Sequence, residues 1–125
     1  MNIPADLKYT NEHEWIRVED GVGIIGVTDH AQGELGDVVY VDIPDASATV
    51  SKGDTFGSIE AVKTVADLYA PVSGQIIEVN DVNGSPEVVN SDPYGSGWLV
   101  KIRLSDPAEL DGLLTVDQYK ALVGA

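Results

Sequence analysis

The chain of 125 residues contains no cysteine. That absence excludes a disulfide framework and any thiolate metal site. Positive charge is nearly as scarce: seven Lys and Arg stand against 21 Asp and Glu, for a net charge of −14. Binding nucleic acid or anionic lipid draws on a basic face that releases counterions, and this composition has none to offer. Partners with basic docking surfaces fit better. No apolar run approaches the roughly 20 residues that cross a bilayer. Met1–Leu7 has neither an apolar secretory core nor an Arg-rich transit pattern. The expectation is a soluble protein of a reducing compartment, with no nucleic-acid or membrane partner. What is present argues for a folded domain. An apolar fraction of 43% is too high for a disordered acidic chain. The length is that of a single domain, which hides roughly two-thirds of its unfolded surface.

Turn residues punctuate the chain as in an all-β domain with helical trimming. Trp15–Val18 and Val22–Val27 flank Glu19-Asp20-Gly21, a hairpin signal. Thr28 can cap one helical turn over Asp29–Gln32, closed by Gly33 and Gly36. Val39, Val41 and Ile43 alternate with Val38, Tyr40 and Asp42, the pattern of a strand with one buried face. Trp98, Val100, Ile102 and Leu104 alternate with Leu99, Lys101 and Arg103, which sends both cations outward. Ser85 with Pro86 reads as the start of a helical turn. Asp106, Pro107 and Glu109 read as an N-cap, a first-turn proline and a reaching glutamate. Thr115 and Gln118 repeat that logic, so short helices are expected over about 106–124. Leu113, Leu114, Val116, Tyr119, Leu122 and Val123 can form an apolar stripe against the sheet. Trp15 and Trp98 are assigned to the core.

The most informative residue is Lys63. Two short β-prone runs meet there, within Ile59-Glu60-Ala61-Val62-Lys63-Thr64-Val65-Ala66-Asp67, and Ala70-Pro71-Val72-Ser73-Gly74 follows. A lysine at a hairpin tip, in the segment 55–74, is within reach of an outside enzyme. Most exposed lysines are no more than solvated surface, and Glu60 and Asp67 taken singly read as solubility charges. The whole string is more specific: it marks a handle for a covalent cofactor.

Further strings lie in order along nearly all of the chain: Leu7-Lys8-Tyr9-Thr10, His13-Glu14-Trp15, Gly26–Gln32, Leu35-Gly36-Asp37, Ile77–Asn80, Asn90–Tyr94 and Gly97-Trp98. With the Glu60–Gly74 segment they make the sequence similar to the H proteins of the glycine cleavage system. That resemblance implies a mainly β fold, a lipoyl/biotinyl-type barrel-sandwich hybrid of two antiparallel sheets with short C-terminal helices, as one domain over 1–125. It implies lipoate in amide linkage on Lys63, with Glu60, Asp67 and Gly74 at positions that shape the modification hairpin. Glu12, Glu14 and Asp67 match the positions that hold the charged amine of the loaded arm in a cleft.

The implied role is that of a carrier and not an enzyme. It would shuttle an aminomethyl group from a pyridoxal-phosphate glycine decarboxylase to a tetrahydrofolate-dependent aminomethyltransferase, and electrons to dihydrolipoyl dehydrogenase. A lipoate ligase or lipoyltransferase would load it. The bacterial cytoplasm is the expected compartment, with a processed mitochondrial chain as the alternative. The high negative charge favours a monomer. Ala66, and Thr64-Val65 after the lysine, depart from the commoner residues there, which bears on docking and not on lipoylation. His13 and His30 are read as structural.

Other classes of function compete. A biotin carrier normally sets its lysine between methionines, whereas Val62 and Thr64 stand here. A lipoyl domain of a 2-oxo-acid dehydrogenase is shorter, with a flexible Ala/Pro tether. A Schiff-base enzyme needs its lysine buried with a depressed pKa. A fourth reading is an H-like protein that donates lipoate in a relay without cleaving glycine.

Overall fold

A computed structural model describes residues 1–43 and 47–125. Two antiparallel sheets face each other across the core. The larger contains β1 (Lys8–Tyr9), β2 (Glu14–Glu19), β3 (Val22–Val27), β5 (Thr49–Val50), β8 (Gly74–Val79) and β9 (Val100–Leu104), in the order β1-β2-β3-β9-β8-β5. The smaller contains β4 (Val38–Asp42), β6 (Thr55–Ala61) and β7 (Val65–Tyr69), with β6 in the centre. Ile16, Ile25, Val41, Ile59, Leu68, Val72, Ile76 and Ile102 fill the space between them, all buried. The expected mainly β architecture of two antiparallel sheets is what is observed.

Local chemistry explains several elements. Asp20 and Gly21 both take positive φ, 52° and 77°, as the tight β2–β3 turn requires. Thr28 caps α1 (Asp29–Leu35), its hydroxyl accepting from the Ala31 amide. The helix runs through Gly33 and stops at Gly36, so it is longer than the single turn expected. Lys101 and Arg103 do point away from the core, while Val100 and Ile102 are fully buried.

Several expectations need correction. The alternation in β4 fails because a bulge falls between Val38 and Tyr40, so Val38 and Val41 are buried while Val39 and Tyr40 are both exposed. Ser85 does not cap a helix with its side chain. Instead α2 (Val88–Ser91) follows Glu87, and the Ser85 carbonyl accepts from the Val88 amide. Glu109 reaches across the molecule and not to its own helix start: its carboxylate accepts from the Ser73 amide at 2.7 Å and the Ser73 hydroxyl at 2.8 Å. That bond ties the 3-10 helix Pro107–Gly112 to the Pro71–Gly74 turn.

The last helix, α3 (Val116–Val123), carries the full capping box of Thr115 and Gln118. It packs Tyr119 against the larger sheet, stacked on Tyr9 with ring centroids 4.6 Å apart. Leu122 points to solvent, outside the stripe assigned to it.

The two tryptophans differ. Trp15 is fully buried, with Nε1 donating to the Pro93 carbonyl at 3.0 Å. Trp98 is only partly buried and lies beneath the Lys101 ammonium, 5.1 Å from the ring centroid, because Leu99 takes the inward position. Trp15→Ala is therefore expected to cost about 3–5 kcal/mol in urea unfolding. Trp98→Ala is expected to cost on the order of 1–2 kcal/mol. Equal midpoints for the two variants would contradict this placement.

Candidate functional site: an exposed lysine beside an acidic cleft

The β6–β7 hairpin pairs Glu60 with Val65 and closes through an Ala61 N–H bond to the Thr64 carbonyl at 2.8 Å. Val62 and Lys63 form the tip. None of the residues 62–64 has positive φ, so valine and lysine fit where two-residue loops usually call for glycine. The Val62 amide donates to the Asp37 carbonyl at 2.9 Å, which anchors the tip to the segment after α1. Ile59 and Leu68 point into the core and hold the hairpin rigid from below.

Lys63 is exposed, and among the described residues its amine has no ion-pair partner. A buried amine, as a Schiff-base enzyme needs, is not what this position provides. The lysine stem crosses Gly36, where any added Cβ would lie 3.3 Å from Cδ and Cε. Gly36 therefore serves twice: its φ of 76° ends α1, and its bare Cα leaves room for the stem.

Beside the tip lies a cavity of about 230 Å³ between α1, β7 and the Thr10–Glu14 loop. Glu12, Glu14 and Asp67 all line it. So do Thr64, next to Lys63 in the chain, and Leu35, next to Gly36. The lysine is thus the chain neighbour of one cavity-lining residue, and its stem passes the neighbour of another.

Glu14 is the acid inside, only 2% exposed. One carboxylate oxygen accepts from the Thr10 hydroxyl at 2.8 Å, the other from the Tyr69 amide at 2.9 Å. Burial pushes its carboxyl up to about 7, against the pull of those two donors, and Glu12 adds to the rise. Among the described residues no cation is ion-paired with it. Glu12 and Asp67 are exposed and form the rim.

The loop that presents Glu14 is closed on itself. The Thr10 amide donates to the Glu14 carbonyl, and the Thr10 hydroxyl accepts from the amides of Glu12 and Glu14. His13 takes a positive φ of 67° inside it. Its Nδ1 lies 2.9 Å from the Tyr119 hydroxyl, and its ring is 4.6 Å from that of His30. Burial first, then the His30 charge, lowers the His13 pKa. His30 in turn meets Glu34 at 2.8 Å. His13 lines the cavity, and His30 packs against its ring.

Glu60 and Gly74 lie outside the cleft. Glu60 is exposed on the central strand of the small sheet, paired with Tyr40 and Val65. Gly74 sits in the larger sheet, opposite Val50 and Leu104, where a Cβ would overlap the Arg103 carbonyl oxygen. Sequence reasoning gave no role to Thr10 and could not see the Tyr69 amide. A threonine four residues before a buried acid is a weak signal, and a backbone donor gives none. Thr10→Val keeps the shape but removes the hydroxyl that favours the charged acid. The carboxyl carbon of Glu14 should then titrate at higher pH in NMR, and Thr10→Ser should restore it; an unmoved titration would remove Thr10 from this role.

A family model described as "Glycine cleavage H-protein" matches residues 7–125. The chain belongs to that family. It is 53% identical over 125 residues to the glycine cleavage system H protein of Staphylococcus haemolyticus, covering 99% of each chain. It is 50% identical, with the same coverage, to that of Staphylococcus epidermidis. The crystal structure of a glycine cleavage system H protein from Mycobacterium marinum superposes with a TM-score of 0.90 at 42% identity, covering 98% of this chain and 100% of the other. The family is the lipoate-carrying component of the glycine cleavage system. Among the described residues no helix is long and apolar enough to cross a membrane.

Proposed function

We propose that residues 1–125 act as one carrier domain that takes lipoate in amide linkage on Lys63 and holds the loaded arm in the adjoining cleft. The observation that carries this reading is the juxtaposition of an unpaired amine on a rigid tip with a buried acid in the cavity beside it. Acylation calls for a neutral amine. Its lone pair attacks the carbonyl carbon of an activated acyl group, the activating group leaves with the electron pair of its bond, and the nitrogen gives up one proton. Nothing in the tip obstructs that approach.

When bound, the lipoyl group would supply a disulfide whose opening takes up an aminomethyl group together with two electrons, and a dithiol that later gives those electrons up. The rest falls to this chain's residues. Glu14, taken from water into a cavity of low dielectric, attracts a cationic arm end far more strongly than a surface acid does. Asp67 and Glu12 at the rim add charge of the same sign. Val27, Leu35 and Leu68 line the cavity with apolar surface and limit access of water to the arm end. Glu60 and Gly74 support the hairpin and the sheet below it. The chain itself lowers no chemical barrier.

The partners in this reading are the pyridoxal-phosphate glycine decarboxylase, the tetrahydrofolate-dependent aminomethyltransferase, dihydrolipoyl dehydrogenase and a lipoate ligase or lipoyltransferase. The named relatives are bacterial, which fits work in the cytoplasm, and the net charge of −14 fits a monomer. No observation favours a relay role without glycine cleavage. Co-expression with a lipoate ligase, followed by mass analysis, should give one lipoyl increment on Lys63. Reconstitution with the decarboxylase should then load the arm. A lipoylated chain that accepts no aminomethyl group would leave only the relay.

A further inference from the structure

Of the eight large apolar side chains left exposed among the described residues, four gather around the lysine tip: Val39, Tyr40, Val62 and Val65, at 49%, 45%, 72% and 62% exposure. Single exposed aliphatics are ordinary, but a cluster marks a contact surface. Strand register places three side chains in one row. Tyr40 on β4 stands opposite Glu60 on β6, and Glu60 stands opposite Val65 on β7. Directly opposed residues share a sheet face, and all three are exposed, so this row lies on the outer face of the small sheet. The bulge in β4 turns Val39 outward too. The result is an acid on the central strand, flanked by an aromatic and an aliphatic side chain, running up to Val62 and Lys63.

We propose that this outer face is the docking surface for the enzyme that acylates Lys63, and that the enzyme meets it with an apolar patch carrying a cation opposite Glu60. This rests on the lipoyl-carrier reading. The choice of occupant follows from reach. Before acylation only the four-carbon lysine stem projects, so the acylating enzyme must bring its active site against the tip. Enzymes that act on the far end of a loaded arm need not. Charge points the same way, since a chain of net charge −14 with an acid at the centre of the patch favours a basic partner. Tyrosine is a frequent anchor in such contacts.

The test uses the full unmodified chain, purified lipoate ligase, ATP and lipoate. Tyr40→Ser combined with Val65→Ser should lower kcat/KM for lipoylation by about tenfold or more, mainly through KM. Amide shifts on adding ligase alone should fall on β4, β6 and β7. Val18→Ser combined with Leu122→Ser removes two exposed aliphatics elsewhere, at 40% and 51% exposure, and should change neither readout. A small activated ester should acylate Lys63 at the same rate in parent and variants. Parental kcat/KM in the Tyr40/Val65 variant would overturn the proposal. An equal drop with enzyme and small ester would also overturn it, as a distorted hairpin. Normal lipoylation with a defect only in loading by the decarboxylase would assign the face to a later partner instead. A parent chain that gains no lipoyl mass would sink the carrier reading itself.

Discussion

Lys63→Arg folds like the parent, gains no lipoyl mass and supports no glycine cleavage in reconstitution. The expected loss is complete, since a guanidinium keeps the charge but offers no lone pair at neutral pH. Folding is spared because the side chain is exposed and its amine has no ion-pair partner among the described residues. The longer side chain still has to pass the bare Cα of Gly36. Its stem can swing away from there. Mass analysis after co-expression with ligase and a urea unfolding curve check both halves of the claim. An increment on another lysine, with activity retained, would move the attachment site. An unfolding midpoint well below the parent would mean that the amine has structural partners.

Much of the scaffold that presents this amine could be read from local sequence. Asp20-Gly21 sets its turn by its own backbone preferences, and Thr115 with Gln118 closes its own helix start. Lys101 and Arg103 face outward because strand alternation is strictly local. The failures share one cause, namely bonds made across the fold. The β4 bulge follows from pairing with β6, whose residues lie some twenty positions away in the chain. Glu109 abandons its helix because Ser73, 36 residues distant, offers two donors. Leu99 takes the inward place from Trp98 as its amide donates to the Ile25 carbonyl.

The site divides in the same way. Lys63 stands out in the sequence because a tip lysine between β-prone runs is a local pattern. Glu14 does not stand out on its own. Its burial, its two donors and its place beside Asp67 arise from three segments brought together, and only the family resemblance pointed to them. Glu60 reads as a solubility charge in isolation. Strand register is what sets it between Tyr40 and Val65.

Glu14 gives the other large effect, and its pH dependence has two opposite signs. The folded carboxyl titrates at about 7, above its ordinary 4.5, because burial penalises the charge. Between those values the folded chain keeps a proton that the unfolded chain has lost. Stability therefore falls as pH rises from about 4.5 to about 7, then levels off, by an amount on the order of 3 kcal/mol. Glu14→Gln removes the titration and should flatten that slope, leaving the variant more stable than the parent above pH 7. On the proposed reading, retention of a cationic arm end runs the other way. It needs the carboxylate, so the parent's hold strengthens as pH climbs towards 7 and is lost as pH falls. In Glu14→Gln the loaded intermediate should have a shorter lifetime with a flatter pH dependence, while lipoylation of Lys63 proceeds normally. Urea unfolding at pH 4.5 and 8, with decay of the loaded arm over the same range, reads both signs. A parent slope unchanged by the substitution, or an equal arm lifetime in both chains, would remove Glu14 from the cleft's chemistry. On the proposed reading, the carrier gives up stability at neutral pH to keep one desolvated acid ready for a positive charge.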